Sequence, residues 1–237
     1  MHGDIPPAAR DHMTRIAFTL EPGRTTLVAG KAISTSTLHE RLLSPVAGNL
    51  ERVWLNDDII DGFLTMVQQQ ASSTFCFSTQ VYETLTPEGN FQLDGVATWF
   101  RRRRSSPIIL RNYDTLLMPI HVNGNHWILV HVNVPHRRIR ILDSLAGSST
   151  MYGTILRNVS TFLCAETGIR IQDWTTEVAE GIARQTSGWE CGYFVVGRAT
   201  HLALDSRTQF TRQHVLPTRR YILHALLTDS LRPSPAE

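Results

Sequence analysis

The chain has 237 residues and a hydrophobic content of 42%, which together suit one large domain with a real core. Its formal charge of +2 is too small to indicate nucleic-acid binding without a concentrated basic patch. Its apolar runs are all shorter than a membrane span, so no membrane association is expected.

The first part of the chain is predicted to contain a lead-in segment followed by helices. Residues 1–32 carry several prolines and glycines without a sustained period, which indicates an extended segment with a strand at Thr14–Leu20. A Ser/Thr cluster after Ile33 precedes leucines at helical spacing and predicts a short helix. Asn56–Gln70 starts with a capping-type residue and two acids, which predicts a longer helix. An amphipathic segment is expected at Val96–Arg103.

The second part of the chain is predicted to contain a sheet and further helices. Runs rich in β-formers, separated by turn residues, predict neighbouring antiparallel strands at Leu116–Val122, His126–Val134 and Arg138–Leu142. A helix, a strand and two helices are expected next, at Met151–Glu166 (ended by Gly168), Ile169–Thr175, Cys191–Leu204 and Leu216–Leu227. Because strands and helices cluster rather than alternate, an α+β fold is favoured.

Cys191 has the sequence context of a reactive thiol. It stands between the loop glycine Gly188 and an apolar helical run, so it is expected at a helix N-terminus. The helix dipole and the free N–H groups there favour the thiolate. Gln185 lies upstream in the same loop, where its amide is expected to stabilise an oxyanion together with the Cys191 N–H.

Two further residues complete a set of groups for nucleophilic catalysis. His126 opens one predicted strand and Asp143 ends the next, so an antiparallel pair is expected to bring the imidazole and the carboxylate together. Each residue alone is a weak signal, but together with Cys191 they predict a thiol peptidase. Cys76 and Cys164 lack the glycine context and are expected to be structural.

Four short blocks of sequence surround these residues. They are Trp-Leu-Asn-Asp-Asp-Ile-Ile at 54–60, Pro-Ile-His and His-Trp between 119 and 127, Leu-Asp-Ser at 142–144, and Gln-x-x-Gly-x-Glu-Cys-Gly at 185–192. Together they resemble the Ulp/SENP family of ubiquitin-like-protein-specific cysteine proteases, relatives of the adenoviral peptidase. Family members most often carry Asp before the nucleophile, whereas this chain has Glu190 preceded by the bulky Trp189.

The resemblance implies a papain-related α+β fold with a central mixed or antiparallel sheet flanked by helices. It implies a catalytic domain over 33–230, followed by a tail at 231–237. Within it, Cys191, His126 and Asp143 would form the triad, with Gln185 at the oxyanion hole. The implied reaction is hydrolysis after the C-terminal Gly-Gly of a ubiquitin-like modifier or its conjugates. SUMO ranks ahead of a NEDD-type protein or ubiquitin, and no cofactor is expected.

The resemblance also implies a set of substrate-binding residues. Trp54 and Trp127 would roof a narrow tunnel whose flat aromatic walls admit only glycine, although core packing is the alternative for both. Asp57 is expected to pair with basic groups on the modifier, unless it serves only the helix dipole. Trp189 is expected to narrow the entrance of the tunnel, and the loop glycine Gly188 is expected to allow a tight approach.

Two other functions stay open on the sequence alone. An acetyltransferase would use the same Cys-His-Asp triad, and a non-catalytic module would capture a modifier without cutting it. A metal site is not expected, because His121, His126, His131 and His136 are spaced by five residues and would point to opposite faces of strands.

The location in the cell is expected to be intracellular, in the nucleus or the cytoplasm. The three cysteines have no CxxC spacing, which is typical of free thiols in a reducing compartment. The run Arg101–Arg104 is consistent with an import receptor and hence with the nucleus, but it also fits an acidic partner or a solvated helix end.

Overall fold

The computed structural model describes residues 25–28, 31–43, 54–96, 109–205 and 209–231. The strand expected at Thr14–Leu20, the run Arg101–Arg104 and all but the first residue of Val96–Arg103 lie outside these ranges. Within them, a five-stranded sheet is flanked by helices, and a two-stranded hairpin precedes it. The expected α+β fold is confirmed.

The strands and helices are numbered in chain order. The strands are β1 (Thr25–Val28), β2 (Lys31–Ser34), β3 (Thr74–Cys76), β4 (Thr115–Val122), β5 (His126–Asn133), β6 (Arg138–Leu142) and β7 (Thr175–Val178). The helices are α1 (Thr35–Leu38, continued by a π-helical turn at His39–Leu43), α2 (Asp57–Gln70), α3 (Gln80–Leu85), α4 (Ser149–Thr167), α5 (Cys191–Ala203) and α6 (Val215–Thr228).

The main sheet is mixed and has the strand order β3-β4-β5-β6-β7. Its central strands β4, β5 and β6 are antiparallel, as the turn signals predicted, while β3 and β7 run parallel to their neighbours. The tight β4–β5 turn has Asn123 and Gly124 at φ of 54° and 69°, a left-handed conformation that suits these two residue types. This turn places His126 at the start of β5.

The predicted strand at Ile169–Thr175 is wrong. Ile171–Asp173 forms a 3₁₀ turn, closed by the Arg170 guanidinium, which donates to both Asp173 carboxylate oxygens at 3.0 Å. The chain joins the sheet only at β7, where the N–H of Thr175 donates to the carbonyl of Arg137. The apolar residues before Trp174 therefore belong to a turn.

Buried residues on each face of the sheet form a separate core. One core joins the sheet to α2, α5 and α6, and the other joins it to α3 and α4. The ends of two helices match their expected caps: the Asn56 side chain accepts from the N–H of Ile59, and Gly168 ends α4 at φ 72°. The helix α5, which starts at Cys191, is thus held between the sheet and α2.

Candidate active site

The ends of three elements bring together the residues predicted to form a triad. His126 is the first residue of β5, Asp143 directly follows β6, and Cys191 is the first residue of α5. Because β5 and β6 pair antiparallel, with Leu129 opposite Leu142, the end of β6 lies beside the start of β5. Helix α5 packs on β5, which places Cys191 at this edge.

His126 and Asp143 form a short, buried hydrogen bond. The His126 Nε2 lies 2.6 Å from Asp143 Oδ1, and Asp143 is 2% exposed. Burial acts to raise the pKa of the Asp143 carboxyl, but hydrogen bonds from His126, Tyr152 and the Leu145 N–H outweigh it and lower the pKa. Asp143 is therefore a carboxylate that fixes the orientation of the imidazole.

His126 also forms a hydrogen bond with Cys191. Since Nε2 is occupied by Asp143, the ring nitrogen left for the thiol is Nδ1. Burial acts to lower the pKa of His126, but the hydrogen bonds with Asp143 and Cys191, together with their charges, raise it to about 9. The site thus stabilises an imidazolium at His126, beside the Asp143 carboxylate and the Cys191 sulfur.

The side chain of Gln185 is held by a defined set of hydrogen bonds. Its Oε1 accepts from the Ser144 hydroxyl at 2.5 Å, and its Nε2 donates to the carbonyl of Ser187 at 2.6 Å. Because a carbonyl can only accept, the atom facing Ser187 must be the amide nitrogen. That nitrogen carries a second N–H, which the described contacts leave for a ligand.

Glu190 organises the loop between Gln185 and the helix. Its Oε2 accepts from the N–H groups of Thr186 and Ser187, at 3.1 and 3.3 Å. Its Oε1 accepts from Arg212 Nε at 3.1 Å. The Glu190 side chain, which replaces the family's usual Asp, thus uses one carboxylate oxygen for the loop and the other for Arg212.

Trp127 connects the histidine strand to the segment that carries Trp54. The Trp127 indole N–H donates to the carbonyl of Leu55 at 3.1 Å, and its ring stacks on His121 at 4.4 Å. Trp127 is 6% exposed, whereas Trp54, the residue before Leu55, is 37% exposed. Trp127 is therefore fixed by its contacts, whereas Trp54 has part of its ring exposed, and the roles of both toward a substrate stay predictions.

The other predicted substrate-binding residues differ in their surroundings. Trp189 is half-buried and packs edge-on against Tyr193 at 5.9 Å. Gly188 is exposed, and a side chain there would meet nothing within 4 Å. Asp57 is half-buried in the first turn of α2, where it accepts from Gln80 Nε2 at 3.3 Å. Their roles toward a substrate stay predictions.

Two residues at the site were missed by sequence reasoning. The hydroxyl of Tyr152 donates to Asp143 Oδ2 at 2.6 Å. Gly192 faces Leu55, where a Cβ on the glycine would lie 2.8 Å from the Leu55 Cβ. The glycine after Cys191 was visible in the sequence, but nothing local indicated the tyrosine.

Among the described residues, no three His, Cys, Asp or Glu side chains gather as a metal-binding group. None of the helices that the structure describes has both the length and the apolar character of a membrane span. The three cysteines are free thiols.

Comparison with known proteins links this geometry to one protease family. Residues 53–227 match the Ulp1 protease family, C-terminal catalytic domain. Ubiquitin-like-specific protease 1 of Saccharomyces cerevisiae is 27% identical over 182 residues, covering 76% of this chain. Human Sentrin-specific protease 3 is 29% identical over 179 residues, covering 73% of this chain. The chain spans 28% and 29% of the length of these two relatives.

The fold has a close counterpart among solved structures. The C-terminal Ulp1 protease domain, solved in complex with Smt3, the yeast ortholog of SUMO, superposes with a TM-score of 0.81. The two chains are 22% identical, and the match covers 97% of this chain and 98% of that one. With a family match over residues 53–227, this chain belongs to the Ulp1 protease family, in its C-terminal catalytic domain.

Proposed function

We propose that this chain is a thiol-dependent peptidase and isopeptidase that cuts the bond after the C-terminal Gly-Gly of a ubiquitin-like modifier. The observation that carries the proposal is the pair of hydrogen bonds made by His126, one to Asp143 and one to Cys191. A nucleophile, a base and a group that orients the base are the parts required for acyl transfer through a thioester.

The proposed reaction uses the imidazolium that the site favours at His126 and takes the Cys191 thiolate as the nucleophile. The Cys191 thiolate attacks the glycyl carbonyl carbon, while the Gln185 amide and the Cys191 N–H donate to the oxygen as its negative charge develops. The C–N bond then breaks, and the His126 imidazolium transfers its proton to the leaving amine. Neutral His126 next takes a proton from water, whose oxygen attacks the thioester and releases the modifier and the thiolate.

Asp143 supports both halves of this cycle. Its hydrogen bond to Nε2 keeps Nδ1 directed at the thiol and stabilises the imidazolium. Ser144 and Ser187 hold the Gln185 amide, so its remaining N–H is oriented before a substrate arrives. Pre-oriented donors of this kind cost no reorganisation during the reaction.

The proposed specificity for a diglycine terminus rests on shape. Trp54 and Trp127 would form the aromatic walls of the tunnel, with Trp127 fixed to the Leu55 carbonyl and Trp54 free to contact substrate. Gly188 and Trp189 would border its entrance, and Asp57 would meet basic groups on the modifier. Any residue larger than glycine would clash with these walls.

SUMO is the modifier that we place first, ahead of a NEDD-type protein or ubiquitin. The names of the relatives support this order, because they are ubiquitin-like-specific and sentrin-specific proteases, and one was solved with a SUMO ortholog. We propose SUMO and its conjugates as the partners, and residues 33–230 as the catalytic domain; the family match at 53–227 supports this range.

The test is reaction with modifiers that carry a C-terminal electrophile. Wild-type protein, Cys191→Ala and the matched thiol control Cys164→Ala are incubated with SUMO, NEDD-type and ubiquitin probes. We expect a covalent adduct with the SUMO probe in the wild type and in Cys164→Ala, and none in Cys191→Ala. An adduct that survives Cys191→Ala would overturn the assignment of the nucleophile.

The same panel separates the other two functions. Self-labelling with acetyl-coenzyme A, without a modifier adduct, would indicate an acetyltransferase. Tight binding of a modifier without any adduct would indicate a non-catalytic capture module. Hydrolysis of a SUMO conjugate by the wild type, together with its loss in Asp143→Asn, would support the peptidase.

We also propose an intracellular location in the nucleus or the cytoplasm. The free thiols support it, since they persist in a reducing compartment. The nuclear option depends on Arg101–Arg104. A fluorescent fusion that loses nuclear signal when these four arginines become alanine would support the nuclear assignment, and unchanged signal would contradict it.

A further inference from the structure

The carboxylate of Asp143 has three hydrogen-bond donors, which are divided between its two oxygens. Oδ1 accepts from His126 Nε2 at 2.6 Å and from the Leu145 N–H at 2.7 Å. Oδ2 accepts from the Tyr152 hydroxyl at 2.6 Å. The tyrosine is therefore the partner of the carboxylate oxygen that the histidine does not use.

The direction of the tyrosine hydrogen bond follows from a second contact. The backbone N–H of Gly147 points at the Tyr152 hydroxyl oxygen, 2.6 Å away. Because an N–H can only donate, the hydroxyl accepts there and retains its own proton for another partner. The carbonyl of Leu145 is more distant, at 3.4 Å, so the proton goes to Asp143.

The surroundings of the hydroxyl form a closely fitted site. Tyr152 is 8% exposed and lies in the first turn of α4. A Cβ added to Gly147 would lie 2.8 Å from both Cζ and Oη of Tyr152 and 2.5 Å from the side chain of Met151. A side chain at position 147 would therefore press on the tyrosine ring, and glycine lets the loop after Asp143 approach the ring closely.

We propose that Tyr152 is a positioning residue for the triad. Its hydroxyl holds the Asp143 carboxylate with Oδ1 on His126, and it reduces the negative charge that acts on the imidazole. The inference deepens the proposed function and rests on it for its kinetic consequences. A donor on Oδ2 prevents the carboxylate from rotating away from Nε2, so the tautomer and ring orientation of His126 are maintained. It also withdraws charge from Oδ1 and thus lowers the proton affinity of His126.

The ionisation states of Tyr152 and Asp143 agree with this role. Burial and the hydrogen bond to Asp143 raise the pKa of Tyr152 to about 12, so the hydroxyl remains a donor at any pH where the protein functions. The same bond contributes to lowering the pKa of Asp143, which keeps the carboxylate ionised.

The test compares Tyr152→Phe with Tyr82→Phe as a matched control. Tyr82 also contacts α4, accepting from Asn158 Nδ2 at 3.2 Å, and it does not contact Asp143. With a fluorogenic SUMO substrate, Tyr152→Phe should lower kcat about tenfold with little change in KM, since it removes a hydrogen bond to a charged group. The alkaline limb of its pH profile should move to higher pH, and Tyr82→Phe should match the wild type.

A second variant and a double mutant separate positioning from packing. Gly147→Ala keeps the hydroxyl but displaces it, so it should move the alkaline limb in the same direction as Tyr152→Phe. In an Asp143→Ala background, Tyr152→Phe should cause no further loss of kcat. An equal loss in both backgrounds would overturn the proposal.

The titration of His126, followed by the NMR signals of its ring, needs no substrate. A higher pKa of His126 in Tyr152→Phe than in the wild type would support the proposal even if no modifier were cleaved, which separates it from the proposed function. An unchanged His126 titration in Tyr152→Phe would overturn it, whatever the activity.

Discussion

Glu190 and Arg212 form an ion pair at the start of α5, with Oε1 of the glutamate 3.1 Å from Nε of the arginine. The two partners differ in exposure, since the Glu190 side chain is 3% exposed and that of Arg212 is 59% exposed. The other oxygen of the carboxylate accepts from two backbone N–H groups of the preceding loop. The buried carboxylate thus ties together the helix that begins with Cys191 and the loop that presents Gln185.

Replacement of Glu190 by Gln is expected to destabilise the protein and slow catalysis. The amide keeps the shape but directs an N–H group at a donor, so the free energy of unfolding should fall by about 1–3 kcal/mol. Glu190→Asp keeps the charge and should retain more activity. Arg212→Ala is the comparison variant: it leaves both backbone hydrogen bonds to Glu190 in place, so it should lower the free energy of unfolding less than Glu190→Gln does. Urea unfolding and probe-labelling rates measure both effects, and a Glu190→Gln protein equal to the wild type would refute this role.

The raised pKa of His126 sets the pH range of the enzyme. Its proton is needed by the leaving amine, so kcat/KM should fall as the pH rises through about 9, where His126 loses that proton. In Asp143→Asn a favourable charge is lost, and the alkaline limb should move toward lower pH. A limb in the wild type at the ordinary pKa of 6.5 would contradict the proposed site.

The same group should make stability depend on pH. Because the folded-state pKa lies above the unfolded value, the contribution of His126 is fully present below pH 6.5 and is lost as the pH rises through about 9. The stability advantage of the wild type over Asp143→Asn should therefore shrink across this interval. Urea unfolding at several pH values measures it.

Much of the site could be predicted because its residues stand in local sequence patterns. The strand that begins with His126 follows an Asn-Gly turn, and Cys191 follows a glycine-containing loop before an apolar helical run. Periodicity and turn chemistry are local properties, so they locate both residues without knowledge of the tertiary structure.

Long-range contacts explain what the sequence did not predict. The hydrogen bond from Trp127 to Leu55 joins residues 72 positions apart, and the Tyr152 contact depends on how α4 docks beside Asp143. The short strand β3 was not predicted either, since its three residues owe their conformation to pairing with β4. The turn at Ile171–Asp173 was mistaken for a strand, because apolar residues at alternate positions occur in both.

The two tryptophans should respond differently to substitution. Trp54→Ala should leave stability nearly unchanged, because the ring is 37% exposed, but raise KM by about tenfold or more if the indole contacts substrate. Trp127→Phe removes the donor to the Leu55 carbonyl and should lower the free energy of unfolding by about 1–3 kcal/mol. Urea unfolding and Michaelis–Menten kinetics separate the effects. An unchanged KM in Trp54→Ala would remove this residue from the proposed tunnel.

Gly192 and Gly153 offer the same substitution in opposite environments, since both lie within helices. An alanine normally stabilises a helix interior by about 1 kcal/mol relative to glycine. That gain is expected for Gly153→Ala, where a Cβ meets nothing within 4 Å. For Gly192→Ala the Cβ would lie 2.8 Å from the Leu55 Cβ, and the sign should reverse to a loss of about 1–3 kcal/mol. The overlap would also displace Cys191, so probe labelling should slow in Gly192→Ala alone. Stabilisation of both variants would show that the Leu55 segment yields to the added methyl group and does not fix the position of the nucleophile.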